Sequence, residues 1–363
     1  MKRLTIVHTE WSKGWGGQEI RIVSEASGVG ARGHRVVIAA RPECQILARA
    51  SAAGLATYPL PMRNGFDLRA IAALGRIIRR EQADIVNTHS SVDSWVGAFA
   101  AKLTRTKLIR TRHLSAPWRR HPLNFVYHMP DAIITTGEAL RQQLIDHNRL
   151  DPGRILSIPT GIDVTQFSPR PCSSETKTAL GIPASARVVT KVAVLRSFKR
   201  HDLLLDAIAL LRERTPLYVV LVGGGSRREG IAAHAAARGI AERLRLVGHV
   251  EDVRPMLACS DVVVSASGSH EGVPQALAQA LAMERPVVAT NVGSVAELIE
   301  DQRTGLLVPP NDPSALAAAI ERLLKDPTFA QECAVRGRTL VVQQYSHAVM
   351  IERLLALYER LLA

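Results

Sequence analysis

The sequence predicts an α/β chain of two doubly wound units, on three observations. Short β-branched runs alternate along the chain with longer segments of helical period, the pattern of parallel sheets wrapped by helices. The alternation breaks over residues 159–171, where Pro159, Gly161, Pro169 and Pro171 interrupt any periodicity, and it restarts beyond them. At 363 residues the chain is too long for one average domain and comfortable for two.

Each element follows from its local pattern. Residues 4–8 read as the first strand, 18–32 as a helix closed by Gly33, and 35–39 as the second strand. A poorly patterned stretch follows before a helix over 68–80. Strands over 83–88, 107–112, 132–135 and 155–158 then alternate with helices over 92–103 and 138–147. Beyond the Pro-rich break, strands are predicted at 188–194, 218–222, 245–247, 262–265, 287–290 and 305–308. Helices are predicted at 203–212, 230–238, 253–259, 274–283 and 295–299. From Pro313 onward the chain reads as consecutive helices, and Ile351, Leu354, Leu355, Tyr358 and Leu362 recur at helical spacing on the last. The predicted division is therefore 1–165 and 166–345, with a terminal helix, 346–363, crossing back onto the first domain.

Composition excludes several classes. Hydrophobic residues at 47% and charged residues at 22% exclude wholesale disorder, collagen-like repeats and a coiled coil. Apolar runs such as 219–222 stop far short of the roughly 20 residues of a bilayer span. The apolar start of the chain fails at His8, too early for a signal peptide, so a cytoplasmic protein is expected. Cys44, Cys172, Cys259 and Cys333 lack C-x-x-C spacing, and are expected to be ordinary thiols with neither zinc nor disulfide.

Net charge is +13 and uneven. Residues 1–170 carry 24 Lys and Arg against 13 Asp and Glu, whereas residues 171–363 carry 22 against 20. A basic N-terminal half attracts phosphorylated ligands, an anionic membrane or nucleic acid. Nucleic acid is disfavoured, because aromatics are only 4% and no recognised module is present.

Four motifs fall in strand-to-helix loops, where doubly wound sheets bind anionic ligands. The most specific is Ser267-Gly268-Ser269-His270-Glu271-Gly272-Val273-Pro274-Gln275, continuing to Gln279 and followed by Arg285-Pro286-Val287-Val288-Ala289-Thr290. Glu271 is placed to accept bonds from hydroxyl groups. Gly272 and Val273 offer amides at a helix N-terminus, Pro274 opens the helix at its first turn, and Gln279 follows two turns along. The second motif is Arg196-Ser197-Phe198-Lys199-Arg200-His201, whose cations suit a departing diphosphate. The third is the Gly-rich loop Lys13-Gly14-Trp15-Gly16-Gly17-Gln18-Glu19. It matches neither G-x-G-x-x-G nor a P-loop. The fourth is Arg110-Thr111-Arg112-His113 at a strand end, with His89 in Asn87-Thr88-His89-Ser90 a parallel candidate. The loops at 223–226 and 247–250, the latter ending in Val250, are supporting features.

The segment from Glu271 resembles the E-x7-E signature of retaining GT-B-fold glycosyltransferases (family 4-like, group 1), with Gln279 in place of the second acid. The linker Ile158-Pro159-Thr160-Gly161-Ile162-Asp163 with Phe167 and Pro169 is similar to that family's crossover, and the resemblance covers most of the chain. It implies two Rossmann-like domains facing each other across a cleft, the first holding the acceptor and the second a nucleotide sugar. It implies that Glu271 orients the sugar and that Gln279 bonds the ribose hydroxyls. Lys199 and, less closely matched in position, Arg196 stabilise the leaving diphosphate. Gly16 and Gly17 approach the donor phosphates, Val250 lies beside the base, and His113 lies near the transferred sugar. A donor phosphate oxygen takes the acceptor's proton, so no protein nucleophile is needed. Without a D-x-D carboxylate pair, no metal and no other cofactor are expected.

The donor expected is a UDP- or GDP-sugar. The acceptor expected is a glycan or lipid-linked molecule in bacterial surface polysaccharide, lipopolysaccharide or O-antigen synthesis. Trp118-Arg119-Arg120-His121 and the arginines of 76–80 suggest a peripheral position on the cytoplasmic face of an anionic inner membrane. A sugar-nucleotide epimerase of the same fold is the alternative, with a basic nucleic-acid-binding protein behind it.

Overall fold

The computed structural model describes residues 2–113, 122–213, 216–269 and 271–363. They form two compact units, one of residues 1–161 with 347–363 and one of residues 162–346.

The first unit runs β1 (Thr5–Glu10), α1 (Gly17–Ala31), β2 (Arg35–Ala40), α2 (Gln45–Ala52), β3 (Ala56–Pro59), α3 (Leu68–Glu81), β4 (Ile85–Thr88), α4 (Ser91–Thr104), β5 (Lys107–Arg112), β6 (Ala132–Thr135), α5 (Glu138–Asp146) and β7 (Ile155–Ser157). All its strands pair in parallel, in the order β3-β2-β1-β4-β5-β6-β7. Side chains alternate between two cores, as the two-residue period of a strand requires. Ile6, Val36 and Ile38 face Ile22 and Ala26 of α1, while Val7 and Val37 face Ile71 and Leu74 of α3 and Val96 of α4.

The second unit runs α6 (Ser174–Ala179), β8 (Arg187–Val192), α7 (His201–Leu211), β9 (Leu217–Val222), α8 (Arg228–Ala237), β10 (Leu244–Gly248), α9 (Arg254–Ala258), β11 (Val262–Ser265), α10 (Gln275–Ala282), β12 (Val287–Thr290), α11 (Val295–Leu298), β13 (Leu306–Val308), α12 (Pro313–Lys325) and α13 (Pro327–Gln344). Its parallel sheet has the order β10-β9-β8-β11-β12-β13. Val262 and Val264 pack towards α7 and α12, and Val263 between them packs towards α10.

The last helix, α14 (His347–Leu362), belongs to the first unit. Met350, Ile351, Leu354 and Tyr358 fill the core beside α1. A Cβ at Gly28 would come within 2.5 Å of His347 and 2.6 Å of Ile351, so the absence of a side chain there permits this approach. The unpatterned stretch before residue 68 contains α2 and β3. Both are short and partly exposed; α2 buries only Ile46 and Ala50, too few to set a period.

One expectation is overturned. Cys172 and Cys259 form a disulfide, while Cys44 and Cys333 are buried thiols. The pair lies 87 residues apart in sequence and is joined by the folding of the second unit, a distance no local spacing rule reaches.

Among the described residues no helix is long and apolar enough to cross a membrane. The segment Trp118–His121 lies outside the described residues, as does His270.

Candidate active site

In an open parallel sheet, ligands settle beyond the carboxyl ends of the strands, where the strand order reverses. The reversal falls between β1 and β4 in the first unit and between β8 and β11 in the second. The predicted residues concentrate at those two places.

In the second unit, β11 ends at Ser265 and the chain continues as loop to α10. Glu271 is buried in that loop. Its Oε1 accepts 2.5 Å from Lys199 Nζ and also receives the Ser267 hydroxyl. Ser267 is itself fixed, because its carbonyl accepts from Thr290 Oγ1 at 2.6 Å. The Glu271 carbonyl accepts from Ser294 N at 3.0 Å. Beside it Gly293 has φ +56°, and a Cβ there would lie 2.1 Å from the Glu271 oxygen. Only glycine meets both demands.

Lys199 comes from the loop after β8. Gly268 N donates to the Phe198 carbonyl at 2.9 Å, tying this loop to the one that carries Glu271. The Gly223-Gly224-Gly225 loop backs it, with Leu195 N donating to the Gly224 carbonyl at 2.8 Å. Beneath lies Lys191 of β8, buried, its ammonium donating to the Lys199 carbonyl. Burial and then the nearby Lys199 charge bring its pKa down to about 7. His201, at the start of α7, is also buried, and desolvation followed by the Lys191 charge lowers it to about 3.

Gly272 to Pro274 lead into α10, where Pro274 stands at the N-cap, one position before the first turn where the sequence placed it. Gln279 is half-buried on the second turn. Arg196 is exposed, and among the described residues its guanidinium makes no hydrogen bond or ion pair; the structure does not bring it to the Glu271 pair. Val250 packs, half-buried, beside Val253 and Met256.

In the first unit, three imidazoles form a chain across the reversal point. His8 Nδ1 lies 2.9 Å from His89 Nε2, and His89 Nδ1 lies 3.0 Å from His113 Nε2. Desolvation is the leading cause that holds all three below the usual histidine range, which favours the neutral imidazole. A neutral imidazole has one donor and one acceptor, so the proton positions along the chain are linked. Asp93, the capping-box acid of α4, accepts from the amides of His89 and Ser90, each at 2.7 Å, and from Thr9 Oγ1 at 2.9 Å. Burial and the neighbouring Glu10 push its carboxyl up to about 8.

The Gly-rich loop is organised from β1. Glu10 accepts from the amides of Trp11 and Ser12 at 2.7 Å each, from Gln18 at 2.6 Å and from the Ser90 hydroxyl. Gly16 N donates to Glu19 at 2.9 Å, and Gly17 opens α1. Trp15 carries the Arg49 guanidinium 4.3 Å from its ring centre.

Residues 15–166 match the family model described as Glycosyltransferase Family 4, and residues 186–326 that described as Glycosyl transferases group 1. The chain belongs to the family 4-like, group 1 glycosyltransferases. This glycosyltransferase is 28% identical over 315 residues to a D-inositol 3-phosphate glycosyltransferase of Kineococcus radiotolerans, covering 76% of this chain and 71% of the relative. A glycosyltransferase of Rickettsia africae superposes with a TM-score of 0.90 at 21% identity, over 100% of this chain and 99% of that one. Anabaena Alr3699/HepE in complex with UDP-glucose superposes at 0.87 and 18% identity, over 99% and 100%. These two share the GT-B fold.

Sequence reasoning missed Lys191, His8, Glu10 and Asp93 of this glycosyltransferase. Each leaves a signal, since a charged or imidazole side chain in a buried strand end or helix start is the anomaly to look for.

Proposed function

We propose that this glycosyltransferase moves a sugar from a UDP- or GDP-sugar, with retention and without a metal, to a glycan or lipid-linked acceptor of bacterial surface polysaccharide synthesis. The observation that carries the donor half is the Lys199–Glu271 pair at the β8/β11 reversal, ahead of the α10 N-terminus. Glu271 orients the sugar hydroxyls, and Gly272, Val273 and Pro274 present the start of α10 to its oxygens. Lys199 stabilises the diphosphate as its bond to the sugar breaks, with Arg196 as a second cation recruited from solvent. Gln279 bonds the ribose and Val250 lies beside the base. Gly16 and Gly17 approach the phosphates. His113, held by His89 and His8, bonds a hydroxyl of sugar or acceptor as a neutral imidazole. The donor phosphate receives the acceptor's proton.

The acceptor half rests on the positive first unit, which suits a phosphorylated acceptor. That includes a soluble polyol phosphate, a second reading favoured by the name of the Kineococcus relative.

Calorimetric titration with UDP, GDP, ADP and CDP, in chelator and then in magnesium, tests the donor site. The expected outcome is selective binding without magnesium that Lys199→Ala weakens, with turnover down on the order of 10²-fold. Absence of binding to all four would overturn the reading. Anomer analysis of the product tests retention, and product formation without any acceptor would favour the epimerase.

A further inference from the structure

Among the described residues, the first unit carries a cluster of large apolar side chains that stays exposed. Trp95, Phe99 and Leu103 follow one another at four-residue spacing along one face of α4. Phe66 lies against this face, 4.7 Å from the Trp95 ring and 6.4 Å from Phe99. Phe125 meets Trp95 edge-on at 5.4 Å. Gly65 lets the chain before α3 lie against Trp95. Packing this close would normally accompany burial, yet Phe66 is 57% exposed and Phe125 48%, and two further apolar residues of the same helices, Leu68 of α3 and Leu103 of α4, are 78% and 69% exposed. Large apolar groups gathered at the surface mark an interaction site.

The charge beside them names the partner. α3 packs along α4, with Gly75 near Thr104. The solvent side of α3 presents Arg69, Arg76, Arg79 and Arg80, and the end of α4 presents Lys102 and Arg105, all exposed. None of the six has an ion-pair partner among the described residues. Aromatic rings flanked by cations without an ion-pair partner match a bilayer boundary, where rings enter the headgroup layer and cations are drawn to anionic lipid. An acidic protein would satisfy the cations but leaves four exposed apolar groups without a matching depth of hydrocarbon.

We propose that Phe66, Leu68, Leu103 and Phe125, with the arginines of α3, seat this enzyme on an anionic lipid surface. The inference stands apart from the donor chemistry, since neither set of residues belongs to the donor or imidazole sites.

Co-sedimentation with phosphatidylcholine vesicles, with and without phosphatidylglycerol, tests it on the full chain. Binding is expected only with the anionic lipid, and it is expected to fall at least about tenfold in Arg76→Glu/Arg79→Glu. A similar fall is expected in Phe66→Ser/Phe125→Ser, together with loss of tryptophan quenching by brominated lipid. Nucleotide binding measured without vesicles shows that the variants are folded and keeps failure of this inference distinct from failure of the donor reading. No binding, binding indifferent to both double variants, or a change of oligomeric state in place of lipid binding would each overturn it.

Discussion

Lys191 is the residue whose burial has the clearest consequence. A lysine in the middle of a parallel sheet, with its pKa brought from 10.5 to about 7, is more easily protonated in the unfolded chain than in the folded one. Between those values the unfolded state holds a proton that the folded state has released, so this group makes stability rise with pH from about 7 to about 10.5. Below pH 7 its penalty is present in full. Lys191→Met is expected to flatten that rise, read by chemical denaturation at several pH values. An unchanged slope would contradict the assignment. The same variant removes the donor to the Lys199 carbonyl, and so is expected to lower turnover as well. Lys199 differs from it in being half-buried and in having the Glu271 carboxylate as its ion-pair partner.

At the scale of elements, the turn between β12 and α11 holds the loop before α10. Gly293 sits in that turn against the Glu271 backbone. Gly293→Ala brings a left-handed alanine and a clash with a carbonyl oxygen, a cost on the order of 1–3 kcal/mol. The expected result is a lower melting temperature and at least a tenfold loss in kcat/KM, because Glu271 is displaced together with its loop. Retained activity with lowered stability would show that Glu271 keeps its place without this support. Much of this architecture was legible. The strands 107–112, 132–135, 262–265 and 287–290 are read to the residue, the last three because central parallel strands are near-continuous apolar runs. α2 and β3 were not, since a short edge strand and a helix with two buried residues leave little pattern.

For the whole molecule, the disulfide between Cys172 and Cys259 closes a long loop inside the second unit. Such closure restricts the unfolded chain and contributes about 2–4 kcal/mol. Cys172 is exposed, so a reductant can reach it. Reduction is expected to lower the melting temperature, and thiol titration of the unfolded protein is expected to find two free thiols before reduction and four after. Four thiols before reduction would remove the pairing. Disulfides are rare in reducing compartments, so the same titration on protein from cells bears on where the chain resides.

The sequence by itself determined the alternation of strand and helix, its interruption over residues 159–171, and the loops that carry Glu271, Lys199, His113 and the Gly-rich turn. These depend on period and local backbone chemistry, which neighbouring residues suffice to specify. Tertiary structure alone decided that Lys199 and Ser267 share one oxygen of Glu271, that His8 and His89 stand behind His113, and that Arg196 stays in solvent. It also decided which two cysteines meet and which aromatic rings remain uncovered. Those outcomes depend on which strands become neighbours, and burial, pairing and charge coupling exist only after distant segments have been packed together.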